Sequence, residues 1–412
     1  MNGSAQRCRV VVTGIGVVTP LGAGIATFWD AVLSERVAVG PVTRFDAGGY
    51  RSRIAAEIGD FEPRDFVAGK RLHWTDRFSQ LSIAAARLAM DDARYHPNGA
   101  SRDVGVYLGS ALGGLAFADD QHDVFREHGI DAVKPLLALS VFGGAATCNV
   151  AIELDLRGPT VANGNSCASG AVAIGEAFRA IARGDVRAVL AGGVEAPLSP
   201  LVYGAFTVIK AMSTRNDDPE RASRPFDRER DGFVMAEGAG VLLLERLDDA
   251  RARGARIYGE IAGYGLTNDA YHMSAPRPDA TMNALAMERA LGEARAAPSE
   301  VDAVNAHGSG TPLGDRAEAL ALRRVFGDDA RVPVSATKGQ HGHALGATGA
   351  WEAALSLLSI ERGVVPRSVN SDDADCALAL THERLERPVR TVLSNSAGFG
   401  GINAALVFRA VD

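Results

Sequence analysis

The sequence predicts a layered α/β protein made of two similar halves. Three observations carry that expectation. Short β-branched runs alternate with longer alanine-rich runs at helical spacing, the pattern of helices layered on a sheet. The same order of elements restarts near residue 255. Glycine is abundant, 46 of 412 residues, where ordinary usage is about 7%, so tight turns and close backbone contacts should be frequent.

The elements follow in order. Arg9–Thr13 reads as a first strand. The apolar stretch around it, Val10 to Val18, is broken by Thr13 and two glycines and followed by Pro20, too short for a membrane span and unlike a signal peptide. Ala23–Ser34 reads as a helix and Asp76–Ala93 as an amphipathic one; Val104–Gly109 is a strand. Ser169–Arg183 is apolar nearly all round, which predicts a buried helix stopped by Gly184, and Arg187–Ala191 returns as a strand. Ser213–Asp231 fits neither period; it is charged, holds Pro219 and Pro225, and reads as a loop.

After the charged helix Asp248–Arg253 the order begins again with a strand at Ile257. Helix Ala280–Ala296 leads to strand Val301–His307 and helix Pro312–Phe326. Strand Val332–Ala336 leads to helix Ala344–Arg362, and strands Thr391–Ser394 and Ala404–Arg409 close the chain around a glycine-rich turn. We therefore expect one half over 1–255 and another over 256–412. No short-period repeat or low-complexity segment is present.

Composition excludes several classes. With 47% hydrophobic and 23% charged residues, a chain of this length buries a large core and is not disordered. A net charge of −7, with basic runs short and mixed with acids, argues against a nucleic-acid reader. The four cysteines are scattered, with no CxxC, which excludes a disulfide framework and a zinc ribbon and fits a reducing, cytoplasmic setting.

Candidate chemistry gathers at three strand-to-helix junctions, where open α/β sheets place their ligands. Cys167, in Asn165-Ser166-Cys167-Ala168-Ser169-Gly170, stands where the buried helix begins; a helix N-terminus lowers a thiol pKa. The alternative is a buried structural cysteine. His307 precedes Gly308-Ser309-Gly310-Thr311-Pro312, and His343 follows Lys338-Gly339-Gln340-His341-Gly342. A cysteine with two such histidines forms a nucleophile-plus-base set. The same residues with His341 also contain zinc-ligand types, although no carboxylate supports them. Gly14-Ile15-Gly16 lacks a third glycine, so it reads as a tight turn and not a dinucleotide loop.

Several of these motifs, in one order, have a known counterpart. Cys167-Ala168-Ser169-Gly170, His307-Gly308-Ser309-Gly310-Thr311, Lys338 with Gly342-His343, and Asn395-Ser396-Ala397-Gly398-Phe399-Gly400-Gly401 resemble the elongating β-ketoacyl-acyl-carrier-protein synthases, of the fatty-acid type and of type II polyketide systems. Ser213-Thr214-Arg215-Asn216 and Arg224-Pro225-Phe226-Asp227 extend the match. The resemblance implies a thiolase fold, two similar halves forming a five-layered αβαβα sandwich. By resemblance Cys167 takes the acyl chain, and the backbone N–H groups of Cys167 and Phe399 form the oxyanion hole. His307 and His343 drive decarboxylation of malonyl-carrier protein. Lys338 would pair with Glu318, with Asp315 nearby as support. Ser309 and Thr311 would meet the pantetheine arm; Lys70, Arg71 and Lys210 would meet the acidic carrier protein; Leu112, Ala397, Phe399 and Ile402 would line the acyl pocket.

The resemblance further implies no metal and no cofactor beyond the carrier's phosphopantetheine. It implies an acyl carrier protein as partner, and a homodimer or a heterodimer with a chain-length-factor-like subunit. A degradative thiolase would carry a second cysteine in the C-terminal glycine-rich turn, where this chain has Asn395. The initiating synthases carry asparagine in place of His343, and chain-length factors lack the nucleophile. Departures cluster at the acyl site. Ala397 replaces a usual phenylalanine, Ile402 and Ser309 replace threonines, and Gly164-Asn165-Ser166 is atypical. They point to an acyl chain bulkier or more oxidised than a saturated one. They also leave room for a rival role, a non-elongating partner that decarboxylates malonyl groups or shapes another ketosynthase.

Overall fold

The computed structural model describes residues 8–97, 102–329 and 331–412. Ten strands form one continuous ladder. In the first half they are β1 (Val10–Thr19), β2 (Val104–Gly109), β3 (Thr160–Asn163), β4 (Ala188–Glu195) and β5 (Gly238–Arg246). In the second they are β6 (Gly259–Asn268), β7 (Ala303–Asn305), β8 (Val334–Ser335), β9 (Thr391–Gly398) and β10 (Ile402–Arg409). From the middle outward the first half runs β1-β5-β4-β2-β3 and the second β6-β10-β9-β7-β8. That is one order used twice. The pairing sense matches as well, parallel for β2 with β3 and β4 and for β7 with β8 and β9, antiparallel elsewhere. The halves join where β1 meets β6, with Val10 opposite Ile261.

Six helices complete the layers: α1 (Arg77–Asp92), α2 (Ala145–Glu153), α3 (Ser169–Arg183), α4 (Thr281–Ala294), α5 (Pro312–Phe326) and α6 (Thr348–Arg362). The two-residue strand period decides which layer each side chain joins. On β5, Leu242 and Leu244 pack on α3 and α6 in the middle, whereas Val241 and Leu243 pack on α1 outside. On β10, Ala404, Leu406 and Phe408 face the middle, and Ala405 and Val407 face α4 and α5. The result is the αβαβα sandwich. α3 and α6 are therefore largely enclosed; α3 is apolar nearly all round, and only Glu176, Arg179 and Arg183 on it reach the surface. Gly184 ends α3 in the left-handed region, φ 84°.

Some boundaries differ from the expectation. β1 runs to Thr19, well past Thr13, and Gly14 and Gly16 lie inside it. Added Cβ atoms there would fall 2.1 Å from the Ala89 carbonyl oxygen and 1.9 Å from that of Ala85. These glycines let α1 lie against the strand; they do not make a turn. The helix expected at Ala23 starts at Ile25, after Gly24. The one expected at Ala344 starts at Thr348, because Leu345–Ala347 forms a 3-10 turn with Leu345 at φ 42°. Residues 213–231 are largely irregular, as their composition implied, yet Ser223, Arg224 and Phe226 are buried. Among the described residues no helix is long and apolar enough to cross a membrane.

Candidate functional site

Cys167 sits in the 3-10 turn Ser166–Ala168 that feeds α3, and it is buried. Ser166 before it adopts φ 52°, a left-handed bend that turns the chain sharply from β3 into the helix. The start of α3 is locked against the turn behind His343 by glycines alone. A Cβ on Gly193 would lie 2.2 Å from the Gly346 carbonyl oxygen, and one on Gly170 2.7 Å from it. No larger residue allows that approach.

The thiol environment differs from the expected one. Burial pushes the Cys167 thiol up to about 11, against hydrogen bonds from Ser166 and from the Phe399 N–H, which lower it. Burial thus outweighs the helix end, and the resting nucleophile is a thiol. Its activation needs a base.

Two imidazoles stand beside it. His307 and His343 are buried with ring centroids 5.2 Å apart in an edge-on arrangement. Burial, then the Lys338 ammonium, holds both well below the usual imidazole range, so both are neutral at neutral pH. A neutral imidazole can take a proton at one nitrogen and donate from the other. Nδ1 of His343 lies 3.1 Å from Thr348 Oγ1. Phe233 stands edge-on to His343 at 5.5 Å. His341 is turned away, its ring nitrogens on Thr337 Oγ1 and the Gly342 carbonyl. The zinc grouping therefore does not form, and no set of three or more potential ligands is gathered among the described residues.

Lys338 corrects one expectation. Its ammonium donates to Glu352 Oε1 and to the His307 carbonyl, and Glu318 is not its ion-pair partner. Glu318 instead accepts from the backbone N–H groups of His307 and Gly308, each at 2.7 Å, and from Asn395 Nδ2 at 2.7 Å. Both groups hold the His307 turn, Lys338 through its carbonyl and Glu318 through its amides. Asp315 fills its supporting place; it accepts from Phe226 N at 2.6 Å and Gly310 N at 3.1 Å, tying the buried loop to the turn. Burial pushes the Asp315 and Glu352 carboxyls up to about 7 each.

A cavity open to solvent joins these groups. Cys167, His307, His343, Ser309, Thr311, Ala397 and Phe399 all line it. Phe399 stacks on Phe206, centroids 6.3 Å apart and planes 14° from parallel. Leu112 and Ile402 do not line this cavity. Leu112 belongs to an apolar cluster with Cys167, Phe206, Phe233 and Leu345, and Ile402 packs against the core around α3 and α6.

The basic residues separate. Lys70 and Lys210 are exposed. Arg71 is committed: it pairs with buried Glu153 at 2.8 Å, which Arg87 also holds at 2.6 Å, and it donates to Asn149. Those contacts hold its guanidinium against α2, with 21% of the side chain left exposed.

Three further residues act here that the sequence reading missed. Glu352 and Thr348 lie on α6, and a charge inside that apolar run, Thr348-Gly349-Ala350-Trp351-Glu352-Ala353, was the available signal. Glu195 ends β4, fully buried, and accepts from Ser110 Oγ (2.8 Å), Ala111 N (2.8 Å), Leu112 N (3.1 Å) and Gly346 N (3.0 Å). It clamps the turn carrying Leu112 to the turn behind His343.

Comparison with known proteins is consistent along the chain. The family model for the beta-ketoacyl synthase N-terminal domain matches residues 7–250, and that for the C-terminal domain residues 258–372. The 3-oxoacyl-[acyl-carrier-protein] synthase 2 of Coxiella burnetii is 41% identical over 411 residues, covering 98% of this chain and 99% of that protein. Among solved structures, the ishigamide ketosynthase/chain length factor superposes with a TM-score of 0.92 at 33% identity, over 98% of this chain and 100% of that one. A type II PKS acyl-carrier protein in complex with its ketosynthase bound to the hexaketide gives 0.89 at 33%, with the same coverage.

Proposed function

The chain belongs to the beta-ketoacyl synthase family, and we propose that Cys167, His307 and His343 carry its reaction. That reaction is elongating condensation: an enzyme-bound acyl chain joins a malonyl unit held on acyl carrier protein, giving the 3-oxoacyl-carrier product. One observation carries the residue assignment. A buried thiol at the start of α3, hydrogen-bonded by the Phe399 N–H, shares a single cavity with two neutral imidazoles.

The steps follow from those groups. The Cys167 sulfur attacks the acyl thioester, an imidazole takes the thiol proton, and the carrier thiol leaves with a proton. The Cys167 and Phe399 N–H groups receive the developing oxyanion. Malonyl-carrier protein then loses carbon dioxide. The electron pair of the broken C–C bond moves onto the thioester oxygen, where N–H groups of His307 and His343 donate to it. The enolate carbon attacks the acyl carbonyl and the Cys167 thiolate leaves. No step calls for a metal or a further cofactor.

Ser309 and Thr311 on the cavity wall fit a pantetheine arm, and exposed Lys70 and Lys210 fit an acidic carrier. We read the halves as 1–255, with the nucleophile, and 256–412, with both histidines; residue 255 falls between β5 and β6. We read the assembly as a cytoplasmic homodimer. The end strand β3 supports a subunit contact, leaving Val161 40% exposed at the open edge of the ladder. A mixed complex with a chain-length-factor-like subunit is the other outcome of a mass measurement.

The deciding experiment is intact-mass analysis after incubation with acyl-carrier proteins. The wild-type protein is expected to gain one acyl group and, given malonyl-carrier protein, to release 3-oxoacyl product without a second subunit. Cys167→Ala should gain nothing and extend nothing. Product from that variant would overturn the assignment, and carbon dioxide release without extension by the wild type would favour the helper role.

The cavity wall at Ala397 leads to a second expectation. A phenylalanine there would fill space with a large apolar ring. Ala397→Phe should cut activity on polyene or β-keto acyl carriers by on the order of tenfold and leave saturated chains within about twofold. Equal activity across the series would remove Ala397 from chain selection.

A further inference from the structure

Asn283 is the one polar side chain among the buried residues of α4; the others, from Ala284 to Ala294, are apolar. An asparagine inside a helix is less favourable than alanine, and once buried it must find partners for its amide. Asn283 finds one on each side. Its Nδ2 donates to Asn403 Oδ1 at 2.9 Å, and its Oδ1 accepts from Asn395 Nδ2 at 3.4 Å. Asn395 on β9 and Asn403 on β10 face α4 by the same strand period that turns Leu393, Ala405 and Val407 that way.

The two neighbours lead to different turns. Asn395 Nδ2 also donates to Glu318, the carboxyl that holds the N–H groups of His307 and Gly308. Asn403 Nδ2 donates to Asp269 Oδ1 at 2.8 Å and to the Gly401 carbonyl at 3.1 Å. That carbonyl also accepts from Asp269 N at 2.8 Å, and a Cβ on Gly401 would fall 2.6 Å from Asp269 Cβ. Asn283 thus stands between the His307 turn and the turn that carries Phe399. The ends fix the amide orientations. A carbonyl can only accept, so Asn403 points its Nδ2 at Gly401 and its Oδ1 at Asn283. Asn283 then has to donate to Asn403, which leaves its own oxygen for Asn395. An aliphatic side chain at 283 supplies neither bond.

We propose that Asn283 is a positioning residue that sets the oxyanion-donating turn at Phe399 and the His307 turn in place relative to each other. This rests on the condensing role proposed above for those turns. Asn283 lies behind the site and is not one of the residues lining the cavity. Donors stabilise a developing charge only when they are fixed before it appears. Removing Asn283 leaves Asn403 Oδ1 without its donor and an Asn395 N–H without its acceptor, in a buried region where such losses are costly.

Asn283→Leu removes both bonds at similar volume. Amide hydrogen exchange is the first readout and needs no activity. The amides of His307 and Gly308, and those of Asp269 and Gly400, should exchange about tenfold faster, with the β6–β10 ladder within about twofold. Acceleration at one turn only, or at neither, would overturn the inference. In kinetics, kcat for condensation should fall about tenfold with KM for the carrier substrates within about twofold. Leu291→Ala on the same helix is the packing control; it should lose stability and keep kcat within about twofold. An Asn283→Leu protein that behaves like this control, less stable with kcat intact, would mean a packing role only. Asn283→Ala adds no bulk and has to show the same pattern if the leucine variant does not fold. A wild type that takes up no acyl group would sink the condensing reading, while the exchange result would still decide whether Asn283 links the two turns.

Discussion

Lys338→Met should destabilise the protein by about 3–5 kcal/mol, the usual cost of removing one partner of a fully buried ion pair. Lys338 and Glu352 have side-chain exposures of 1% and 0%, so water cannot solvate the carboxylate left behind. The double variant Lys338→Met with Glu352→Leu should recover most of that loss, since an apolar pair of similar volume often replaces a buried ion pair at little cost. Activity should not return with it. The Lys338 ammonium also holds the His307 carbonyl, and neither methionine nor leucine replaces that donor. Urea unfolding and condensation rates, measured on the same three proteins, separate the two roles. The design also decides between partners: if Lys338 were paired with Glu318, then Glu318→Leu, and not Glu352→Leu, would restore stability. A single Lys338 variant as stable as the wild type would mean that the pair is not held as described.

Much of this site is legible in the sequence because its chemistry-bearing residues lie in short local motifs. Cys167 precedes a largely apolar helix, and His307 and His343 each follow a strand and precede glycine-rich turns. The doubled strand order is legible as a doubled element order, since each strand is a separate β-branched run. Partnership is less legible. Glu318 and Glu352 lie 20 and 14 residues from Lys338 in opposite directions along the chain, and both lie on helices that reach the His307 turn. Only the packing of α6 between the sheets brings Glu352 to the ammonium. The expected thiol environment fails for a related reason: a helix end is visible in sequence, whereas the burial that outweighs it is a property of the assembled layers. Arg71 likewise reads as a surface charge until α2 delivers Glu153 to it.

Glu195 concentrates several contacts of the site in one side chain that no sequence motif marks. Glu195→Ala should cost at least about 3 kcal/mol, because it leaves buried donors at Ser110, Ala111, Leu112 and Gly346 without an acceptor. The loosened turns carry Leu112 and Leu345, which flank Cys167 in the apolar cluster. Acylation by long chains should therefore fall more than acylation by acetyl groups. Glu195→Gln is the finer probe. It keeps one oxygen and turns an amide N–H2 toward backbone N–H groups, so it too destabilises, by less. Burial pushes the Glu195 carboxyl up to about 7 in the folded protein, from an ordinary value of 4.5. A carboxyl raised on folding contributes stability that is fully present below about pH 4.5 and is lost as pH rises through about 7. Glutamine has no such dependence. The stability advantage of the wild type over Glu195→Gln should thus be largest near pH 5 and shrink toward pH 8, by on the order of 1 kcal/mol per pH unit across the window. In the acid form the carboxyl O–H can donate to Ser110 Oγ, which already accepts from Gly113 N at 2.8 Å, so protonation reverses one hydrogen bond without breaking the clamp. Paired unfolding curves at several pH values read this directly. An advantage that stays flat from pH 5 to pH 8 would mean that the carboxylate remains ionised throughout and that its backbone donors, not burial, set its charge.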